Sequence, residues 1–158
     1  MTKEIAIFAM GCFWKPDLLF SKIKGVEKTE VGFMGGKEKY KNPSYVLVCT
    51  GITGHAEVVQ ITFNNKKVSF KKLLDVFWKN HNPTTKNRQG LDIGAQYRSA
   101  IFFHSEKQEK EAEDSLKEAQ KKFDRPIVTE ITKAREFYIA EEYHQKYLEK
   151  RGLQSCEI

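Results

Sequence analysis

The sequence predicts a single α+β domain in which a mixed β-sheet is covered by helices, with a ferredoxin-like core and extensions. The chain has 158 residues, of which 40% are hydrophobic and 30% charged, as is ordinary for one globular domain. Short apolar runs typical of buried strands are interspersed with segments whose apolar residues recur at helical spacing. Some predicted strands follow each other directly, and this order favours an α+β fold with a mixed sheet.

The first half of the chain predicts three strands and one helix. Gly25 follows the last apolar turn of the helix, where glycine is a common stop signal. Gly35 and Gly36 end the second strand. The predicted elements are a strand at 3–9, a helix at 14–24, a strand at 26–33, a polar loop at 37–44 and a strand at 56–63.

The second half predicts alternating helices and strands. Ser69 can cap the first helix, and Ser105 with Gln108 makes a capping box for the second. The predicted elements are a helix from 70, a long loop at 80–96, a strand at 98–104, a helix from 106, a strand at 127–132 and a helix at 138–151. We expect residues 1–158 to form one domain, with 153–158 as a flexible tail.

Charge and hydropathy predict a cytoplasmic protein. Much of the net charge of +6 comes from lysines, several of which stand beside glutamates at 105–123, as on a solvated helix face. A basic cluster at Lys37, Lys39 and Lys41 leaves nucleic-acid binding as an alternative, but no groove-reading or base-stacking motif supports it. No apolar stretch is long enough to span a membrane, and residues 1–4 lack a secretion signal, so no membrane partner is expected.

Cys12 is the most informative residue, because it lies where a strand ends and a helix begins. The apolar run at 5–10 predicts the strand, and the spacing of Trp14, Leu18 and Ile23 predicts the helix. The partial positive charge and unpaired N–H groups of a helix N-terminus stabilise a thiolate. Cys12 is therefore a candidate nucleophile, and an inert buried cysteine is the alternative.

Cysteine and histidine spacing predicts neither a disulfide framework nor a metal site. Cys12, Cys49 and Cys156 are far apart and form no C-x-x-C pair. His55 stands near Glu57 and Cys49 in sequence, but this set lacks a fourth ligand and the usual ligand spacing. We therefore interpret His55 as structural and Cys49 as a buried spectator.

Five further residues carry candidate chemistry, and each also has a structural interpretation. Alone, Glu57 fits a surface carboxylate better than a buried acid, and Trp14 fits a core residue. Tyr45 and Tyr97 fit half-buried core positions as well as they fit a site. Asp92 could equally form a turn between two glycines.

Four segments resolve these alternatives by their joint occurrence. They are GCFW at 11–14, NPSY at 42–45 followed by VCTGITGHAEVV at 48–59, RQGLDIGAQYRSAIFF at 88–103, and FYIAEEYHQKYL at 137–148. In order and spacing they resemble the peptide methionine-S-sulfoxide reductases, the class A enzymes. The resemblance implies a monomeric oxidoreductase that needs no cofactor and reduces methionine S-sulfoxide, free or in proteins.

The resemblance also implies which residues react. Cys12 would attack the sulfoxide sulfur, Glu57 would protonate the oxygen, and Tyr45 and Tyr97 would hydrogen-bond that oxygen. These residue types suit the chemistry, because the oxygen leaves only when protonated and phenols donate without ionising. Burial and a nearby thiolate would raise the pKa of Glu57, as an acid working near neutral pH requires.

Cys156 would be the resolving thiol, which condenses with the sulfenic acid on Cys12 to form a disulfide. Thioredoxin or a similar dithiol would then reduce that disulfide. From the reach of the tail and the length of a disulfide, Gly152 must lie within roughly 20 Å of Cys12.

Substrate binding is implied for three more residues. Phe13 and Trp14 would form the apolar wall for the terminal methyl group, and Asp92 would hold the substrate main chain. The sequence departs from the family pattern at Leu91 and Ile93, which flank Asp92 where more polar residues are usual. Another cysteine-dependent enzyme, a thiol peroxidase or an amidohydrolase, is the alternative, but it explains Cys12 without explaining Trp14 or the two tyrosines.

Overall fold

A six-stranded mixed sheet forms the centre of the computed structural model, which describes residues 2–152. In chain order the described elements are β1 (Lys3–Met10), α1 (Trp14–Ser21), β2 (Val26–Met34), α2 (Tyr45–Cys49), β3 (Ala56–Asn64), α3 (Phe70–Lys79), β4 (Arg88–Gln89), β5 (Asp92–Ile93), β6 (Ser99–Phe103), α4 (Glu106–Gln120), β7 (Glu130–Lys133), β8 (Tyr138–Ile139) and α5 (Tyr147–Lys150). Short 3₁₀ turns lie at Ala95–Tyr97 and Glu142–His144.

The strand order in the sheet is β7-β6-β1-β3-β2-β8, and β4 and β5 form a separate two-stranded hairpin. Strands β1 and β2 are both antiparallel to β3, so they are parallel to each other, and α1 connects them. Strands β3 and β6 are likewise both antiparallel to β1 and are connected through α3. These two crossovers give the ferredoxin-like core, and the parallel pair β6–β7 makes the sheet mixed. The predicted fold class is confirmed.

The main core lies between the sheet and helices α1, α3 and α4. The Phe8 ring, on the central strand β1, contacts the rings of Phe20, Phe70 and Phe77 at centroid distances of 5.6, 6.0 and 5.0 Å. The predicted stripe of α3 is buried as a set, and the Ser69 hydroxyl caps that helix by accepting from Lys72 N–H at 3.0 Å. Among residues 2–152, no helix combines the length and the apolar composition needed to cross a bilayer.

Several predicted boundaries were wrong. Helix α1 ends at Ser21, three residues before the predicted end, and α2 was not predicted. The loop predicted at 80–96 contains the β4–β5 hairpin and a 3₁₀ turn. The strand predicted at 127–132 occupies Glu130–Lys133. Half of the predicted capping box is present: the Ser105 hydroxyl caps α4 by accepting from Gln108 N–H at 3.1 Å, but the Gln108 side chain accepts from His104 N–H instead of Ser105 N–H.

The helix predicted at 138–151 is replaced by β8, a 3₁₀ turn and the short α5. Long-range hydrogen bonds explain this difference. The Gln145 side chain accepts from Val31 N–H at 2.8 Å and donates to the Val31 carbonyl at 2.9 Å. Lys146, in the left-handed region at φ 55°, donates its N–H to Asp17 Oδ2 at 2.8 Å. Gln145 is extended at ψ 126°, and a continuous helix contains neither this conformation nor the left-handed one of Lys146.

Candidate active site

Cys12 lies in the turn between the central strand β1 and helix α1. Gly11 makes this turn at φ +93°, where a side chain is strained, and an added Cβ would lie 2.8 Å from Cβ and Cγ of Gln89. The missing side chain therefore lets the hairpin pack directly against the turn. Cys12 is partly exposed, so its thiol is within reach of a substrate.

Glu57 is the second candidate, and the structure brings it to the same turn. It lies on β3 and is 1% exposed. Because strand side chains alternate, it shares a face with Val59 and Ile61, which pack into the core beneath the helices. Its Oε1 accepts a hydrogen bond from the Phe13 backbone N–H at 3.2 Å. The candidate acid therefore binds the residue that follows the candidate nucleophile.

Tyr45 and Tyr97 approach Glu57 from two different elements. Tyr45 begins α2, and its N–H donates to both carboxylate oxygens of Glu141 at 3.2 and 3.3 Å. Tyr97 ends the 3₁₀ turn at Ala95–Tyr97. The Gln96 side chain, which is buried, donates to the Cys49 carbonyl at 3.3 Å and so ties that turn to α2.

Both phenols are held in their protonated form. Burial, and then the charge of Glu57, raises the pKa of Tyr97 to about 12. The same two causes raise the pKa of Tyr45 well above its ordinary value. At neutral pH both hydroxyls are therefore available as hydrogen-bond donors.

Phe13 and Trp14 form an aromatic surface next to the thiol. Phe13 is 1% exposed, and its ring lies 5.7 Å from that of Phe33 and 6.0 Å from that of Tyr45. The partly exposed Trp14 ring stacks on Tyr147 at a centroid distance of 3.7 Å and an interplanar angle of 10°. The two rings give the site an apolar wall.

His144 supports this wall, and the sequence interpretation missed it. Its Nδ1 accepts from Trp14 Nε1–H at 3.0 Å, and its ring packs 4.3 Å from Tyr45 and 5.3 Å from Phe13. Burial lowers the pKa of His144. A neutral ring that accepts at Nδ1 carries its proton on Nε2. The signal was present in FYIAEEYHQKYL, but spacing alone assigned no role to its histidine.

Cys49 also lies in this cluster rather than apart from it. It is half-buried, and its thiol is within hydrogen-bonding reach of the hydroxyls of Tyr45 and Tyr97. Burial raises the pKa of Cys49, a hydrogen bond from Tyr45 opposes this, and the charge of Glu57 adds to it. Cys49 therefore favours the thiol over the nucleophilic thiolate. Cys49 was interpreted as a buried spectator; it is half-buried, and its raised pKa agrees with a thiol that has no activator.

Asp92 and Cys12 line one groove of about 690 Å³. Asp92 lies on β5, is exposed, and its charge contributes to the raised pKa of Tyr97. The structure thus gathers seven of the eight predicted site residues: Cys12, Phe13, Trp14, Tyr45, Glu57, Asp92 and Tyr97. The eighth, Cys156, lies outside the described residues.

The sequence that forms this site was compared with known families. The family model described as peptide methionine sulfoxide reductase matches residues 4–158. The chain belongs to the peptide methionine sulfoxide reductase family. It is an oxidoreductase that reduces methionine sulfoxide, and the family resemblance carried by GCFW and the other segments is confirmed.

Known reductases are similar to this chain in sequence and fold over nearly its whole length. Peptide methionine sulfoxide reductase MsrA of Methanococcus maripaludis strain C5 is 57% identical over 149 residues, which are 94% of this chain and 94% of the relative. The crystal structure of reduced Mxr1 from Saccharomyces cerevisiae matches with a TM-score of 0.91 and 39% identity, covering 96% of this chain and 87% of that one. Mxr1 in complex with Trx2 matches with a TM-score of 0.65 and 26% identity, covering 92% and 85%.

His55 has the structural role in the reductase that its sequence context predicts. Its Nδ1 accepts from Gly36 N–H at 2.9 Å, and its Nε2 lies 2.9 Å from the Tyr40 carbonyl. With Nδ1 as the acceptor, Nε2 is the protonated nitrogen that donates to that carbonyl. Both ring nitrogens thus hold the loop that follows β2.

Proposed function

We propose that the reductase acts on the S epimer of methionine sulfoxide, free and within proteins, with Cys12 as the nucleophile and Glu57 as the proton donor. The observation that carries this assignment is the hydrogen bond from Phe13 N–H to Glu57 Oε1, at 3.2 Å. It joins the backbone next to the thiol to a carboxyl group that is 1% exposed. A nucleophile and an acid so placed can act on opposite sides of one S–O bond.

In the first step the Cys12 thiolate, favoured by the N-terminus of α1, attacks the sulfoxide sulfur. Glu57 delivers a proton to the oxygen, which would otherwise be a poor leaving group. The attack forms a bond between the two sulfurs. The protonated oxygen then passes to Cys12 as a hydroxyl group, which breaks both the S–O bond and the new sulfur–sulfur bond, so Cys12 becomes a sulfenic acid and methionine is released. The sulfoxide sulfur is thereby reduced by two electrons, and the Cys12 sulfur is oxidised by two.

Tyr45 and Tyr97 stabilise the oxygen as it gains negative charge. Their raised pKa values keep them protonated at neutral pH, so each donates a hydrogen bond without a change of ionisation. Donors fixed in advance need no reorganisation during the reaction.

Phe13 and Trp14 bind the terminal methyl group, and Asp92 holds the substrate main chain. A methyl group on the aromatic wall, with the oxygen directed at the phenols and Glu57, fixes the configuration at sulfur. This three-point arrangement is the basis for proposing selectivity for one epimer.

Cys156 then attacks the sulfenic acid, releasing water and forming a disulfide, which a thioredoxin reduces. Gly152, the last described residue, lines a cavity together with Leu18 and Ser21 of α1, the helix that begins beside Cys12. The Mxr1–Trx2 complex supports a thioredoxin as the partner. Because the cycle needs reduced thiols, we propose that the enzyme works in the cytoplasm, as a monomer.

The assignment is tested with both sulfoxide epimers and dithiothreitol. Cys12→Ser should abolish reduction, and Glu57→Gln should lower kcat by about 10²- to 10⁴-fold, the usual contribution of a general acid. Cys49→Ser is the matched control and should retain turnover with dithiothreitol. Substantial activity of Cys12→Ser, or consumption of the R epimer alone, would contradict the proposal.

The resolving thiol is tested separately. With thioredoxin as the only reductant, Cys156→Ser should lose multiple turnover and Cys49→Ser should keep it. Mass spectrometry of the wild type after one turnover should find residues 12 and 156 in one disulfide-linked peptide pair. A Cys12–Cys49 pair instead would assign the resolving role to Cys49.

A further inference from the structure

The groove that contains Cys12 extends well beyond the reacting thiol. Its volume is about 690 Å³, within the range of about 300–1,000 Å³ that encloses whole drug-sized ligands, so one methionine side chain does not fill it. Besides Cys12 and Asp92, it is lined by residues at the end of α3 and in the segment between α4 and β7. A substrate peptide with its methionine sulfoxide at the thiol therefore has room for neighbouring residues in the same groove.

Three cationic side chains from separate segments line this groove. Lys15 lies in the first turn of α1, Lys79 is the last residue of α3, and Arg125 lies between α4 and β7. All three are exposed. They are far apart in sequence, so the fold brings them together, unlike the lysines of a single solvated helix face.

The positive charge of the groove is not neutralised by the protein. In residues 2–152, none of the three cations lies within 4.0 Å of a carboxylate oxygen. Two carboxylates, Asp92 and Asp124, also line the groove, and His81 there is neutral at pH 7 because burial lowers its pKa to about 4. With Asp92 holding the substrate main chain, as proposed above, three cations and one carboxylate remain for the rest of the substrate.

Hydrogen bonds fix the backbone beside two of the cations. Next to Lys79, the Asn80 side chain donates to the Val76 carbonyl at 2.7 Å. The Gln120 side chain donates to the Arg125 carbonyl at 2.9 Å. Both charged side chains therefore start from fixed points on the groove, which lowers the entropic cost of binding.

We propose that Lys79 and Arg125, together with Lys15, bind acidic side chains that flank methionine sulfoxide in a substrate peptide, so that the reductase prefers oxidised methionines with glutamate or aspartate neighbours. The inference rests on the proposed function and names the substrate class of the same groove. A groove lined by one sign of charge concentrates the opposite charge, and the net charge of +6 adds long-range attraction for acidic segments.

The test compares three peptides with dithiothreitol as the reductant, which excludes any effect on the docking of a protein reductant. Each peptide contains one methionine S-sulfoxide, flanked on both sides by glutamates, by glutamines or by lysines. At low salt, kcat/KM of the wild type should be about fivefold higher for the glutamate peptide than for the glutamine peptide, as a few exposed ion pairs allow, and lowest for the lysine peptide. The preference should disappear at about 1 M salt, where the screening length is about 3 Å.

Variants of Lys79 and Arg125 carry the assignment, because Lys15 is close to Cys12 in sequence and its charge would also act on the thiolate. Lys79→Gln with Arg125→Gln should bring kcat/KM for the glutamate and glutamine peptides to within about twofold of each other. Lys79→Glu with Arg125→Glu should reverse the order, so that the lysine peptide becomes the better substrate. Partial unfolding lowers all three rates and cannot produce such a reversal.

Lys110→Gln with Lys117→Gln is the matched control. It also removes two positive charges, but from exposed positions of α4 that do not line the groove. This variant should keep the preference for the glutamate peptide.

Three outcomes would overturn the inference. Equal kcat/KM of the wild type for the glutamate and lysine peptides would show that the groove does not select by charge. An equal loss for all three peptides in the double glutamate variant would show damage to the site itself. Loss of the preference in the control would assign it to net charge instead of the groove. In each case reduction of N-acetylmethionine S-sulfoxide would leave the proposed function standing, and failure of the wild type to reduce any S-sulfoxide would refute that function.

Discussion

The indole N–H of Trp14 has one described acceptor, His144 Nδ1, at 3.0 Å. His144 is 1% exposed, and burial lowers its pKa, so the ring stays neutral and can accept at this nitrogen. Protonation would convert Nδ1 into a donor and remove the hydrogen bond. We therefore expect His144 to be a positioning residue that acts by fixing the angle of the Trp14 ring.

Replacing the acceptor should weaken substrate binding. In His144→Leu the Trp14 N–H loses its partner, so we expect KM for methionine sulfoxide to rise several-fold, with a smaller change in kcat. In His144→Asn the side-chain oxygen stands near the position of Nδ1, and KM should stay closer to that of the wild type. Steady-state kinetics of both variants, with Trp14 fluorescence in a Trp78→Phe background, measure the effect.

Ser115→Ala is the matched control for this prediction. It removes the acceptor of the other indole, since Trp78 Nε1 donates to Ser115 Oγ at 2.9 Å between α3 and α4. The free energy of unfolding should fall by about 1 kcal/mol and KM should not change. If His144→Leu behaves like Ser115→Ala, His144 has only a structural role.

At the scale of elements, an ion pair between the buried Asp17 and the partly exposed Lys146 joins α1 to the C-terminal segment. Asp17 is 1% exposed, lies 3.3 Å from Lys146 Nζ and accepts from the Thr29 hydroxyl at 2.6 Å. Lys146 Nζ is also in close contact with that hydroxyl. The helix that begins next to the thiol and the segment that carries His144 and Tyr147 are therefore held by one carboxylate.

Asp17→Ala should be strongly destabilising, because it removes the carboxylate that the Lys146 ammonium group and the Thr29 hydroxyl share. We expect a loss of about 3 kcal/mol in the free energy of unfolding, measured by urea denaturation. Glu27→Ala is the control, since it removes an exposed ion pair with Lys3 at 3.5 Å and should cost less than about 1 kcal/mol. Equal losses in the two variants would show that burial of the pair is unimportant.

The same contact explains where the sequence could and could not predict structure. The strands of the core and α3 were predictable, because their apolar periodicity is local and agrees with their burial. Residues 138–151 carry a helical pattern too, but partners 114 and 129 residues away in sequence hold Gln145 and Lys146. No periodicity within the segment could reveal those partners.

In the candidate site, too, some residues could be predicted from the sequence and others could not. Cys12, Glu57 and the two tyrosines were predictable because they stand in long motifs with a family order. The positions of Cys49 and Gln96 were not, because each depends on how α2 meets the turn at Ala95–Tyr97. The tertiary packing of two irregular segments has no signature in spacing.

For the whole molecule, the histidines make stability depend on pH. Burial is the main cause that lowers the pKa of all four, and for His81 the pKa falls to about 4. In the unfolded chain these side chains titrate near ~6.5. Between the two values the unfolded state binds protons that the folded state does not, so stability is complete above about pH 7 and falls as the pH decreases.

We therefore expect the free energy of unfolding to decrease steadily from pH 7 to pH 5, before most carboxylates begin to titrate. From its pKa of about 4, His81 alone should contribute a loss of about 2 kcal/mol by pH 5. Urea denaturation at half-unit pH intervals measures the slope.

In His81→Gln the dependence of the free energy of unfolding on pH should be shallower, because one group no longer takes up a proton on unfolding. Lys79→Gln, which changes a neighbouring side chain and leaves every histidine in place, should keep the wild-type slope. A free energy of unfolding that is constant between pH 7 and pH 5 would show that the histidines are as accessible to protons in the folded state as in the unfolded chain.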